Sequence, residues 1–206
     1  MKQQELFAVD LALLLPEPAA ARAKAANAAL LARCPNPSDA LRLDSTHLPH
    51  ITLVQMFVSD ASLPALIERV QPILGGSQPL TLRVTGVGAS TTAAHFAIES
   101  NPLLQSLHES LMDAVQPYEE TGGGAEAFYS DGEPPRDADI AWVARFRVTS
   151  SYGNFSPHIT LGIGPPPEFR KPFEFTAVRA ALCRLGRFCT CRIVLREWVR
   201  ELTQPG

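Results

Sequence analysis

No run of this 206-residue sequence reaches the roughly 18 apolar residues that a membrane-crossing helix needs. The early candidate, Leu11 to Leu15, stands between Asp10 and Pro16 and reads as a strand. Cations are not in excess either: 18 Lys and Arg against 21 Asp and Glu leave a formal net charge of -3, which argues against a duplex nucleic acid as partner. Cysteine is sparse, and Cys34, Cys183, Cys189 and Cys191 form no Cys-x-x-Cys pair and meet no histidine at zinc-finger spacing, so neither a disulfide scaffold nor a bound metal is expected. Cys189 and Cys191, two apart on an expected C-terminal strand, read as small buried fillers on one face. The run Gly122-Gly123-Gly124 is not followed by Gly-Lys-Ser/Thr, which removes a Walker-type phosphate cradle. What the chain does have is apolar material, 46% of its residues, enough for a packed core. The expectation is a cytoplasmic, monomeric protein without a cofactor.

Along the chain, residues 5–15 read as a strand, and Pro16-Glu17-Pro18 leads into an alanine-rich helix over 18–33 that stops before Pro35. Residues 36–47 are turn-like. A β-branched apolar strand follows over 48–58, then a helix from an Asp60 N-cap through Leu74, ended by Gly75 and Gly76. Residues 79–88 and 92–99 suggest a hairpin, and Asn101-Pro102 opens a helix through Leu104, Leu107, Leu111 and Val115. Between Tyr118 and Asp139, seven acidic residues face one arginine, which reads as a mobile loop. Residues 139–147 fit a short helix or strand, 156–164 a strand, and Phe173 to Trp198 two strands turning near Leu185 to Arg187. Helices mixed with hairpins argue for α+β rather than a doubly wound parallel sheet.

One feature stands apart. Pro49-His50-Ile51-Thr52-Leu53 recurs, identically, as Pro157-His158-Ile159-Thr160-Leu161. Chance would produce such a pair with a probability on the order of one per cent, so an internal duplication is indicated. Because strand side chains alternate, His50 and Thr52 share one face, as do His158 and Thr160, while the aliphatic residues between them anchor the other face in a core. Each imidazole then lies about 7 Å along the strand from its threonine, at roughly 3.3 Å per residue.

An approximate twofold axis between related lobes would bring the two faces together across a cleft. That set suits a phosphodiester. One imidazole takes a proton from the attacking oxygen and the other, as imidazolium, gives one to the leaving oxygen. The hydroxyls of Thr52 and Thr160 are placed to hydrogen-bond the non-bridging oxygens. Such chemistry requires no metal.

On these motifs the sequence resembles the 2H phosphoesterases, named for two His-x-Thr/Ser motifs, which include bacterial RNA 2′,3′-cyclic phosphodiesterases also called 2′-5′ RNA ligases. The order of elements and the closing hairpin from Arg179 to Trp198 are similar over most of the chain. The resemblance implies one bilobed, duplicated α+β domain over 1–206, with antiparallel sheets lining a central cleft and helices outside. It also implies a cyclic nucleotide or RNA 3′ end as substrate. Some members carry an arginine shortly after the second motif. Here the run is Gly162-Ile163-Gly164, whose glycines would share the catalytic face and leave room for a bulkier group.

Other residues carry weaker signals. A lone strand histidine is more often structural than catalytic, and threonine is a common strand former; the duplicated context is what singles out these four. His47 should point away from His50, and His95 and His108, without ligand-like spacing, default to structural or surface roles. Tyr129, Tyr152 and Phe155 flank the acidic loop and second motif, where they could stack on a base or pin the loop to the core. Two alternatives remain open: 2′-5′ RNA ligase activity by the same groups in reverse, and a non-catalytic module binding phosphate or nucleotides, with the two glycines as a sign of relaxed constraint.

Overall fold

A computed structural model describes residues 5–36, 40–89 and 93–201. Its elements run β1 (Leu6–Leu14), α1 (Glu17–Leu31), β2 (His50–Ser59), α2 (Leu63–Gly76), β3 (Leu80–Ala89), β4 (Ala94–Ile98), α3 (Pro102–Val115), α4 (Asp137–Thr149), β5 (His158–Gly162), β6 (Phe173–Ala177), β7 (Arg179–Leu185) and β8 (Cys191–Val199). The strands form two antiparallel sheets of four, in the orders β2-β1-β7-β8 and β5-β4-β3-β6. This is the expected α+β fold. Each copy of the pentapeptide forms the edge strand of its own sheet, and the two edge strands adjoin. Among the described residues, no helix is long and apolar enough to cross a membrane.

Local chemistry sets most boundaries. Asn101 accepts hydrogen bonds from the Leu103 and Leu104 amides at 2.9 and 3.1 Å and starts α3, with Pro102 in the first turn where its missing N–H costs nothing. The Asp60 N-cap is a correction: the capping acceptor is Ser59, whose hydroxyl takes the Ser62 amide, and Asp60 heads a short 3-10 turn before α2. The C-terminal region holds three strands rather than two. Val178 alone separates β6 from β7, and there the chain passes from one sheet to the other, with no glycine or turn sequence to announce it. Cys189 lies in a 3-10 turn with φ 53° and so does not share a strand with Cys191. The expected hairpin turn reaches residues 90–92, outside the described residues.

The acidic segment is strapped down. Its backbone donates from Glu120 to Phe57 and from Tyr129 to Leu185, and Arg147 holds Glu119 while Arg192 holds Asp131. A Cβ at Gly123 would stand 2.3 Å from the Phe57 ring, so only glycine lets the segment lie so close to β2.

Both copies of the motif end in the same irregularity. Ala12 pairs with Thr52 and Leu11 with Val54, which skips Leu53; His95 pairs with Thr160 and Ala94 with Gly162, which skips Leu161. These one-residue bulges take the two leucines out of the ladder. Their carbonyls are claimed from across the molecule: Asn27 of α1 donates to Leu161 O at 2.8 Å, and His108 Nδ1 of α3 donates to Leu53 O at 2.7 Å. Asn27 also donates to Leu41 O and accepts from Leu43 N, so all its groups are used although it is buried. Asn27→Ala strands three buried polar groups at about 1–3 kcal/mol each before relaxation, so urea denaturation should show a loss of about 3 kcal/mol. A loss under about 0.5 kcal/mol, typical of a surface change, would show that the strut carries no strain.

Candidate active site

His50 and His158 are held alike. In each, Nδ1 lies 2.8 Å from the carbonyl two residues earlier, Leu48 O and Ser156 O. A carbonyl only accepts, so Nδ1 carries the proton in both rings and Nε2 is left for a second partner. Ile51, Leu53, Ile159 and Leu161 are wholly buried on the opposite faces, which gives each imidazole a rigid base.

The surroundings then diverge. Beside His50 is Asp10 of β1, completely buried, with Oδ2 3.5 Å from His50 Nε2. The same oxygen accepts from the Thr52 hydroxyl and from Gln55 Nε2, both at 2.8 Å. Burial opposes charge on His50, but the hydrogen bond and attraction from Asp10, helped by the Leu48 carbonyl, outweigh it and hold the imidazole above its usual value. His158 has no carboxylate beside it. Burial, opposed by the Ser156 carbonyl and reinforced by the positive charges of His95 and His50, holds it below its usual value. The site therefore pairs a charge-favouring imidazole with a neutral-favouring one.

The two threonines also differ. Thr52 gives its proton to Asp10, whereas Thr160 Oγ1 has no hydrogen-bond partner among the described residues and is free to donate to a ligand. Sequence reasoning misses Asp10 and Gln55. The available signal is a lone carboxylate inside an apolar strand, since a charge buried there needs partners.

Of the other expected residues, none is brought to the paired histidines by a recorded contact. Tyr152 donates from its hydroxyl to Asp113 and from its amide to His108 Nε2, and Phe155 stacks on the His108 ring at 3.9 Å and 2°. Both buttress the α3 strut. Tyr129 lies under Arg192, 5.2 Å from its ring centre. The glycines after the second motif are a correction. The bulge at Leu161 turns Gly162 toward α1, where a Cβ would stand 3.0 Å from Asn27 Nδ2 and 3.1 Å from Leu30. Its φ of 148° lies in the region that favours glycine. Gly164, at φ 127°, likewise faces Leu30, so these glycines serve packing and open no space in the cleft.

Asp10, His50 and Cys191 bring a carboxylate oxygen, an imidazole nitrogen and a thiol sulfur within 4.8 Å of one another, donors that zinc accepts. Burial, with Cys183 adjoining, pushes the Cys191 thiol well above its ordinary value, so a cation there must displace that proton. It would also occupy His50 Nε2.

Two antiparallel sheets carrying one repeated His-x-Thr motif on adjoining edges are the architecture of the 2H fold. A family model described as the 2′-5′ RNA ligase superfamily matches residues 15–192, and the chain belongs to that superfamily. Membership supports an enzyme of the 2H phosphoesterase kind. The chain is similar in fold to TT0787 of Thermus thermophilus, with TM-score 0.61 and 19% identity over 96% of this chain and 100% of the other. It is similar to E. coli LigT complexed with 3′-AMP (TM-score 0.56, 17% identity, 96% and 100% covered) and with NADP+ (0.55, 18%, 95% and 99%). No curated protein matches the chain.

Removing the carboxylate charge tests the electrostatics. Asp10→Asn leaves burial as the dominant influence on His50, so its ring should titrate below about 6.5. Proton NMR of the imidazole signals reads this out, and an unmoved His50 titration contradicts the pairing.

Proposed function

We propose that the protein is a metal-independent phosphodiesterase that hydrolyses a 2′,3′-cyclic phosphate on an RNA end or nucleotide. In this reading the two sheets form one bilobed unit with the reaction in the cleft between the motif strands. The carrying observation is that two identically anchored imidazoles have opposite electrostatic surroundings, Asp10 at His50 and a second imidazole at His158. That LigT is complexed with 3′-AMP and with phosphate supports a nucleotide phosphate as the class of ligand.

The roles follow from the asymmetry. His158 Nε2, neutral, takes a proton from the attacking water as its oxygen bonds to phosphorus. The phosphorus–oxygen bond to one ribose oxygen breaks, and His50, charged, gives its Nε2 proton to that oxygen, leaving a phosphomonoester and a free hydroxyl. The Thr160 hydroxyl donates to a non-bridging oxygen, and Thr52 does so by releasing Asp10. Asp10 meanwhile keeps His50 charged until the leaving oxygen needs the proton. Solvent then returns His158 to neutral and His50 to charged.

Replacing either histidine by alanine should lower kcat by about 10²–10⁴-fold, and the double variant should be little worse than the worse single one, because the two act as a unit. Activity should persist in excess EDTA; loss on chelation, or full activity in both single variants, removes the mechanism. The same assignment fixes the pH profile. As pH falls through the lowered value of His158 the base gains a proton, and as pH rises through the raised value of His50 the acid loses one. kcat/KM should therefore be bell-shaped, with its acid limb below and its alkaline limb above the ordinary histidine value. An acid limb that persists in His158→Ala, or an alkaline limb that persists in His50→Ala, excludes these groups.

A further inference from the structure

The two halves of the site match strand by strand until one position. Where Ala12 stands opposite Thr52 on the first sheet, His95 stands opposite Thr160 on the second. Residues directly opposite in an antiparallel pair share a face, so His95 lies on the same face as Thr160 and His158. Its ring centre is 5.1 Å from that of His158. Neither ring nitrogen of His95 has a hydrogen-bond partner among the described residues. On the next strand its register partner is Gly88, where a Cβ would lie 2.6 Å from His95 Nε2 and 2.9 Å from Cε1. Room for this ring is therefore built into β3, and no structural hydrogen bond uses it.

We propose that His95 is a third substrate-contacting imidazole, donating an N–H to a non-bridging oxygen of the phosphate from the side of the second sheet. This rests on the cleft reading above and deepens it. Thr160 and His95 form a neighbouring pair of donors beside the base, while on the first sheet Thr52 must first leave Asp10 and the residue opposite it is Ala12. His95 also acts on His158 itself. The groups whose charge bears on His158 are His95 from β4 and His50 from β2; α1, packed on β5, presents Asn27 and Leu30 there, neither of which ionises. Charge on His95 favours the neutral form of His158.

The test uses inorganic phosphate as probe, because it needs no turnover. Calorimetry should find phosphate affinity reduced about 10-fold in His95→Ala, the usual scale for one lost hydrogen bond to a charged group. Affinity should be restored by His95→Arg. Gly88→Ala, which keeps the imidazole but crowds it, should weaken binding in the same direction. NMR titration of His158 should move upward in His95→Phe, which keeps a ring over Gly88 and the burial of His158 but removes the charge of His95. Phosphate affinity within twofold of the unmodified protein in His95→Ala overturns the proposal, whatever the titration does. Turnover of a cyclic phosphate by His50→Ala judges the phosphodiesterase reading separately: that reading can fail while the phosphate contact of His95 stands, and the reverse.

Discussion

The site depends on two hydrogen bonds that cross the molecule. Each repeated motif ends in a bulge, and each bulge leaves a leucine carbonyl outside its ladder in a buried place. A buried carbonyl without a partner costs about 1–3 kcal/mol, so something must claim it. Asn27 on α1 claims Leu161 O, and His108 on α3 claims Leu53 O. In each case the helix follows a strand of the opposite sheet: α1 follows β1 and braces β5, while α3 follows β4 and braces β2. The motif strands are edge strands with a partner on one side only, so without these struts their register and the direction of both imidazoles would be weakly fixed. His108 is suited to the task because burial, opposed by the Leu53 carbonyl and by Glu109, holds it below its usual value; one ring nitrogen then donates to Leu53 O and the other accepts from the Tyr152 amide.

What the sequence discloses follows from this arrangement. Strand periodicity is exact over five residues, so the faces of His50, Thr52, His158 and Thr160 can be read directly, and so can the duplication and the mixed fold. Periodicity fails at the first irregularity. Counting in twos places Gly162 on the cleft face, but the skipped Leu161 reverses the count and sends it toward α1. Nothing local in Leu161-Gly162 announces a bulge, because the cause lies 134 residues away in Asn27. Asp10 is hidden for a similar reason: its partners Thr52 and Gln55 are 42 and 45 residues distant, and only the register of β1 with β2 joins them. The acidic segment reads as mobile from its glycines and charges, yet those charges find Arg147 and Arg192, and Gly123 is what lets it approach Phe57. Composition reports solvation well and long-range pairing not at all.

The repeat places two matching motif strands side by side, and departures from the repeat tell their rings apart. Two identical imidazoles with identical anchors would share protons evenly, and a reaction that needs one charged and one neutral would find the productive arrangement only part of the time. A carboxylate beside one ring and an imidazole beside the other remove that degeneracy. Both devices sit on the strand next to the motif strand, β1 in one sheet and β4 in the other, so neither disturbs the duplicated frame. The carboxylate is buried at the Nε2 edge of its ring, and one of its oxygens accepts from Thr52 and Gln55. The extra imidazole lies on the face that carries Thr160 and His158. A buried carboxylate on β1 and a less buried imidazole on β4 thus give two rings with the same anchors different surroundings.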